Sequence, residues 1–346
     1  AIRLIISDTL ENNGTISANG YEHTSGGSLF VTTNHFTGNG IFSAKGGNSF
    51  WPYLQAAGGG GRIAIHYQDF SFSGTATASG GKACFSGCSP AGEDGTVGFF
   101  NIPQNILNLQ ATWRFQENDG PFNFTQIILT QGAKSTAEDG VEISADSLLV
   151  DDESSFTLSS NQILNTPEIT VDGDSTITLS GEETINSDTL LVDGNSEVTV
   201  IPEKILHLEI SNIIINEGSS ITADGKGYVV GPGSPDEYGI VGASYGGKGG
   251  GETAKPAYGS AEAPVDLGSG TEGRPGGGAI RLVTEDLQNN GIISANFGRE
   301  RTSGGSIYVT TNTLSGEGIF QANGGGGAWP YMNLSGAGGR IAIYFQ

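Results

Sequence analysis

Two stretches of the chain that lie far apart are nearly identical. The stretch beginning at Ser25 reads SGGSLFVTTNHFTGNGIF, and the stretch beginning at Ser303 reads SGGSIYVTTNTLSGEGIF. The tetrapeptide AIRL recurs at the same 278-residue offset, at Ala1 and Ala279, and RIAI returns as well. Repeats of this kind are built by stacking like units, so we expect a window on a longer tandem array that continues beyond both ends.

A shorter, 21-residue period runs through the middle of the chain. The stretches VDDESSFTL, VDGDSTITL and VDGNSEVTV begin at Val150, Val171 and Val192. Two further apolar columns keep the same step: Phe122, Ile143, Leu164, Ile185 and Leu206, and also Phe156, Ile177 and Val198, with Ile221 following after a slightly longer step. Period-two alternation, β-branched residues and Asp-Gly or Asn-Ser turns predict short strands here, not helices.

Aligned apolar columns at this spacing predict an all-β fold, a parallel β-helix. Each coil would hold two or three short strands and stack on the next at about 4.8 Å, so that many coils bury an inner face that one coil cannot. We interpret the Gly-rich parts as the same coil with longer loops at one corner. Their strands would begin at Ile2, Leu29, Ile63 and Val97.

We predict one continuous β-helix over residues 1–346. Residues 1–100 form Gly-rich coils with long loops, residues 101–224 form regular 21-residue coils, and residues 225–278 form a long Gly-rich loop insertion. Residues 279–346 begin the next repeat and are equivalent to residues 1–68.

The sequence resembles two known kinds of protein. The 21-residue coils resemble right-handed parallel β-helices of the pectate-lyase-like fold. The unit GGGAIRL…NNGIISAN…SGGSIYVTTNTLSGEGIFQANGG resembles the glycine-rich tandem repeats of very large cell-surface proteins of bacteria and protists. This resemblance covers most of the chain and implies an extracellular protein at the cell surface, adhesive or part of an appendage.

Composition argues against two classes of partner. The net charge of −22 at pH 7 disfavours nucleic acid, which binds basic surfaces. No apolar run approaches the roughly 20 residues that span a bilayer, so we expect no membrane insertion. Regular Val, Ile, Leu and Phe between the 57 glycines argue against disorder.

The sequence predicts no catalytic residues. Pectate-lyase-like enzymes cluster acidic and basic residues on an exposed groove, whereas this chain has only 15 Lys and Arg, and its four histidines lie on different motifs. The arginines at the strand heads are expected on an outward face: Arg3, Arg62, Arg281 and Arg340. We therefore expect a protein that is not an enzyme and that has no cofactor, unless calcium binds at the turns described next.

Three aspartates, Asp151, Asp172 and Asp193, occupy equivalent turn positions. Stacking would set their carboxylates about 5 Å apart, where two like charges in water repel by roughly 0.8 kcal/mol. One interpretation is a solvated turn whose repulsion is screened by salt. The other is a Ca²⁺ ion that bridges neighbouring turns through hard oxygen ligands.

The chain has two cysteines, Cys84 and Cys88. A local disulfide between them would fit an oxidising, extracellular setting and would contribute modestly, because the loop it closes is small. The alternative is a pair of free thiols.

A Trp-Pro-Tyr motif recurs in corresponding Gly-rich loops, as Trp51, Pro52 and Tyr53 and again as Trp329, Pro330 and Tyr331. It predicts either a small core that caps the loop or an exposed patch that contacts a neighbouring subunit or stacks on a sugar. Candidate glycosylation sequons begin at Asn13, Asn123 and Asn333.

Together these features predict a structural repeat protein that self-associates into the shaft of an extracellular filament, fibre or sheath. The alternative is an adhesin whose β-helix is a stalk and whose loops bind glycans or surfaces. A polysaccharide-active enzyme is the third hypothesis. A pure scaffold would present the same loops in every repeat, whereas an adhesin would end in a distinct tip domain.

Overall fold

The protein is nearly all-β, with long parallel sheets that are consistent with a β-solenoid. The computed structural model describes residues 1–49, 56–82, 91–236, 241–271, 273–327 and 334–346. Within these residues a single 3₁₀ turn, Glu117–Asp119, is the only helical element. The chain divides into two compact units, residues 1–137 with 144–155 and residues 138–143 with 156–346.

Short strands make up both units. The first unit contains β1 (Ile2–Ile5), β2 (Thr9–Glu11), β3 (Thr15–Ser17), β4 (Ser28–Thr32), β5 (His35–Gly38), β6 (Ile41–Ser43), β7 (Arg62–Tyr67), β8 (Asp69–Phe72), β9 (Thr75–Thr77), β10 (Thr96–Asn101), β11 (Ile106–Leu109), β12 (Trp113–Phe115), β13 (Phe122–Leu129) and β14 (Lys134–Ala137). Residues of β15 (Glu142–Val150) and β16 (Ser155–Leu158) fall in both units. The second unit contains β17 (Ile163–Asn165), β18 (Glu168–Val171), β19 (Thr176–Leu179), β20 (Thr184–Asn186), β21 (Thr189–Val192), β22 (Glu197–Val200), β23 (Ile205–Glu209), β24 (Asn212–Ile215), β25 (Ser220–Thr222), β26 (Ala279–Val283), β27 (Asp286–Asn289), β28 (Ile292–Ser294), β29 (Ser306–Thr310), β30 (Thr313–Ser315), β31 (Ile319–Gln321) and β32 (Arg340–Tyr344).

In the first unit the strands recur in threes. Successive strands join three parallel sheets in turn, ordered β1-β4-β7-β10, β2-β5-β8 and β3-β6-β9. Ile2 pairs with Leu29, Leu29 with Ile63, and Ile63 with Val97. The predicted strand heads are therefore stacked on one another.

The second unit follows the same scheme, with short connections up to β25 and a long one, residues 223–278, between β25 and β26. Its parallel sheets run β18-β21-β24-β27-β30, β19-β22-β25-β28-β31 and β23-β26-β29-β32, and β17 pairs with β20. Val171 pairs with Val192, and Val198 pairs with Ile221. Each pair joins successive members of one of the apolar columns that the sequence predicted.

The two copies of the long repeat form the same strands. β4 and β29 cover corresponding residues at the 278-residue offset, and Leu29 pairs with Ile63 just as Ile307 pairs with Ile341. The second copy has no counterpart of Thr9, so β27 is offset by one residue from β2. The extra residue Phe297 restores the 278-residue offset. The affected residues lie between β26 and β29, so both of these strands keep the 278-residue offset.

Both cores are built from the apolar columns. In the first unit the heads pack against an aromatic cluster in which the rings of Phe36 and Phe72 stack 4.4 Å apart. In the second unit Leu164, Leu206 and Ile221 are at most 1% exposed. The predicted inward orientation of these columns is confirmed.

Glycine pairs precede the heads because the backbones there come too close for a side chain. A Cβ on Gly61 would lie 1.9 Å from the carbonyl oxygen of Gly27, and one on Gly95 would lie 1.8 Å from that of Gly61. The three glycines follow one another at equal intervals along the chain and stack in one column. Any other residue at Gly61 or Gly95 would force the neighbouring strands apart.

One strand pair departs from the predicted parallel order. β10 and β11 are antiparallel, with Phe100 opposite Leu107. The connection between them, residues 102–105, is too short for the crossover that a parallel pair needs. Asn105 takes a left-handed backbone, φ 52°, which asparagine tolerates better than most residues.

The inward and outward assignment can be tested by paired substitutions. Leu164→Asp should lower the free energy of unfolding by about 3–5 kcal/mol, because it places an unpaired carboxylate in the core. Asp193→Ala should cost only about 1 kcal/mol, the worth of one hydrogen bond to a turn N–H. Urea unfolding of both variants measures the difference. Equal losses would contradict the assignment.

Candidate functional site

The outer face of the first unit carries an aromatic groove. Along β4 and β7 the side chains alternate, so that Leu29 and Ile63 are buried while Phe30 and Arg62 point away from the core. These outward residues, with others from β10, β12 and the start of β13, enclose a groove of about 420 Å³.

Three aromatic rings that line the groove, Phe30, Phe100 and Trp113, belong to a series of contacts that also includes His66. The ring of His66 lies 5.0 Å from Phe30 and stacks on Phe100 at 4.6 Å and 8°. Phe100 meets Trp113 edge to face at 5.8 Å. The Trp113 indole fits because residue 98 is glycine, where a Cβ would lie 2.7 Å from the ring.

Two exposed ion pairs bound the groove. Arg62 Nη1 lies 3.6 Å from Asp119 Oδ2, and its Nη2 donates to Gln116 Oε1 at 3.2 Å. Arg114 Nη2 lies 2.7 Å from Glu93 Oε2. Exposed pairs contribute little to stability, so their main effect is to place donors and acceptors beside the rings.

The equivalent face of the second repeat copy is covered. There, described residues of the segment 225–278 lie against β29 and β32. The Tyr245 phenol hydrogen-bonds the Ser306 hydroxyl, and Arg340 Nη2 donates to the Tyr258 carbonyl at 3.1 Å. The Arg340 guanidinium lies 5.7 Å from the centre of the Tyr245 ring. Tyr245 and Ser306 are fully buried.

Burial disfavours the ionised form of Tyr245 and of Tyr258. It raises the pKa of Tyr245 and of Tyr258 above the ordinary value. The Tyr258 hydroxyl donates to the Leu267 carbonyl at 2.6 Å. Within the segment predicted as a Gly-rich loop, Tyr245 and Tyr258 thus form contacts to the face of β29 and β32.

In the acidic turns each carboxylate accepts a hydrogen bond from the backbone of its own turn. Asp151, Asp172 and Asp193 accept hydrogen bonds from the N–H of the following residue at 2.6, 2.7 and 2.8 Å. The turns use left-handed residues, as at Gly194 and Asn195, which explains the Asp-Gly and Gly-Asn pattern. Among the described residues no group of three or more His, Cys, Asp or Glu side chains is placed to hold a metal. Calcium binding stays a prediction.

A ladder of buried serines beside these turns was missed by sequence reasoning. In the second unit the N–H of Ser175 donates to Ser196 Oγ at 3.0 Å, and the N–H of Ser196 donates to Ser219 Oγ at 3.2 Å. In the first unit the N–H of Ala133 donates to Ser154 Oγ at 3.0 Å. All four serines are at most 1% exposed. A signal was present, since a serine follows each turn at the same step as the apolar columns.

The other predicted sites are only partly described. Cys84, Cys88 and both Trp-Pro-Tyr motifs (Trp51, Pro52, Tyr53, Trp329, Pro330, Tyr331) lie outside the described residues, as does Asn333. The Asn13 amide donates to Glu11 Oε1 at 2.7 Å, and Asn123 is exposed on β13. The disulfide and glycosylation predictions stay predictions.

Comparisons with known proteins identify no family. No protein-family model matches the chain, and no curated protein and no solved structure matches it. The described residues include no helix with the length and apolar character needed to cross a membrane.

Acid should weaken the first unit through His66. Burial between aromatic rings lowers the pKa of His66 below the ordinary 6.5. The unfolded chain therefore binds the proton more readily, and the histidine contributes stability above pH 6.5 that is lost as the pH falls toward the lowered value.

Thermal unfolding of wild type and of His66→Gln between pH 7.5 and 5.5 measures this contribution. The wild type should lose more stability over that range than the variant. Parallel curves would show that His66 does not titrate as described.

Proposed function

We propose that the protein is a structural repeat protein, a right-handed parallel β-helix of the pectate-lyase-like kind that forms the shaft of an extracellular filament, fibre or sheath on a cell surface. The observation that carries the proposal is the identical pairing of both repeat copies. β1, β4 and β7 stack in the same register as β26, β29 and β32. Because each repeat pairs its strands in the same register, further repeats can be added through the same contacts.

Strand edges supply a route to self-association. The counterpart of β32 in the first copy is β7, which pairs with β4 at one edge and with β10 at the other. The outer edge of β32 therefore carries a pattern that is able to pair with a further coil, whether of the same chain or of another. Edges of unpaired N–H and C=O groups accept further strands.

An adhesin stalk is the second candidate, and the groove on the first unit favours it. Its aromatic rings, with Arg62 and Asp119 beside them, are groups on which a sugar ring can stack and hydrogen-bond. In this alternative the solenoid holds such sites away from the cell. Both candidates are non-enzymatic.

Electron microscopy of the concentrated protein tests the filament proposal. About ten coils per 278-residue repeat, at about 4.8 Å each, give an axial repeat near 50 Å. Ile341→Lys on the β32 edge should abolish lengthwise growth, because edge lysines block strand pairing. Thr310→Lys, an exposed change on β29, should leave it intact. Monodisperse single particles of the wild type at all concentrations would contradict the proposal.

A further inference from the structure

We propose that the groove on β4 and β7 is the seat of a second copy of the segment 225–278, the segment that covers the equivalent face of β29 and β32. The inference rests on the repeat architecture proposed above and adds to it how successive repeats interlock. It commits to one occupant, a second copy of residues 225–278 that carries Tyr245 and Tyr258 on a glycine-rich backbone.

The two faces share a serine and an arginine at corresponding positions. Ser28 and Arg62 are adjacent on paired strands of the first copy, and Ser306 and Arg340 are the corresponding pair in the second. The serine hydroxyl and the arginine guanidinium are the groups that Tyr245 and Tyr258 contact. These two polar partners of the cover are thus already present on the first face, whereas Tyr344, which donates to the Glu262 carbonyl in the second copy, is replaced there by His66.

The two faces differ in burial. Ser306 is fully buried beneath the cover, whereas Ser28 is exposed. The Arg62 side chain is 62% exposed and pairs with Asp119, which is itself 44% exposed. An exposed ion pair is weak, so Arg62 can exchange Asp119 for a carbonyl at little cost.

The backbone beside the face is also matched. In the second unit Ala243 donates its N–H to the carbonyl of Arg301 at 2.9 Å. The counterpart of Arg301 in the first copy is His23, and both take the same left-handed backbone, with φ 67° and 61°. The carbonyl that receives the cover is therefore presented in the same way in both copies.

The experiment supplies the proposed occupant to the full chain. A second copy of residues 225–278 is placed directly before Ala1, so that the GGGAIRL junction found at residues 276–282 is reproduced. Ser28→Cys, in a background with Cys84→Ser and Cys88→Ser, reports access to the groove through its rate of thiol labelling. Ser306→Cys in the same background is the matched, already covered position.

The proposal predicts protection of position 28 by the added segment. Labelling there should slow by about tenfold or more relative to the chain without the extension, approaching the rate at position 306. An extension with Tyr245→Ala and Tyr258→Ala should leave the labelling fast. Slow labelling with both extensions would mean unspecific covering and would overturn the proposal.

Three other results would also overturn it. The first is unchanged labelling at position 28, and the second is an extension that stays unfolded, because the face is proposed to order it. The third is protection of position 28 in the parent chain by a neutral oligosaccharide, maltohexaose or cellohexaose, because the groove would then be a glycan site. Filament formation is read separately by microscopy, so failure of one proposal is distinguishable from failure of the other.

Discussion

The structure depends on residues of one strand lying directly over their counterparts in the next. Parallel strands satisfy their N–H and C=O groups only through neighbours, so each strand must repeat the alternation of the one before it. The pairing of Val171 with Val192 meets this requirement between successive coils. The buried columns, the turns with left-handed residues and the serine ladder all follow from that stacking.

Glycine extends the same constraint to the long coils. Where loops lengthen a coil, the backbones of Gly27, Gly61 and Gly95 remain in close contact because none carries a side chain. The coils therefore keep their stacking at the heads while their loops differ. This freedom allows one repeat to carry an insertion as long as 225–278.

Much of the fold could be predicted from the sequence, because stacking leaves a period in it. The registers at Leu29, Ile63 and Val97 and the buried position of Leu164 follow from aligned apolar residues. The antiparallel pair β10 and β11 could not be foreseen, since its signal is one short connection without a period.

The candidate site was less predictable than the fold. The groove joins outward residues of β4, β7 and β10, which keep a regular spacing, to residues of β12 and β13, which do not. The need for glycine at position 98 becomes clear only from its contact with the Trp113 ring. The cover is glycine-rich and carries no alternation, so nothing marks Tyr245 as buried. The serine ladder was visible as a column, but hydroxyl-bearing residues after turns are common enough that burial was not expected.

The central claim is the stacking register, and disulfide trapping tests it most directly. In a background without Cys84 and Cys88, Thr170→Cys and Leu191→Cys occupy paired positions on β18 and β21, on the face away from the core. At about 4.8 Å between strands they fall in the range that a disulfide bridges, whereas Thr170→Cys with Thr189→Cys, two positions out of register, lies about 8 Å apart, beyond it. The account predicts rapid oxidation of the first pair and little of the second. Equal trapping of both pairs, or preference for the second, would contradict it.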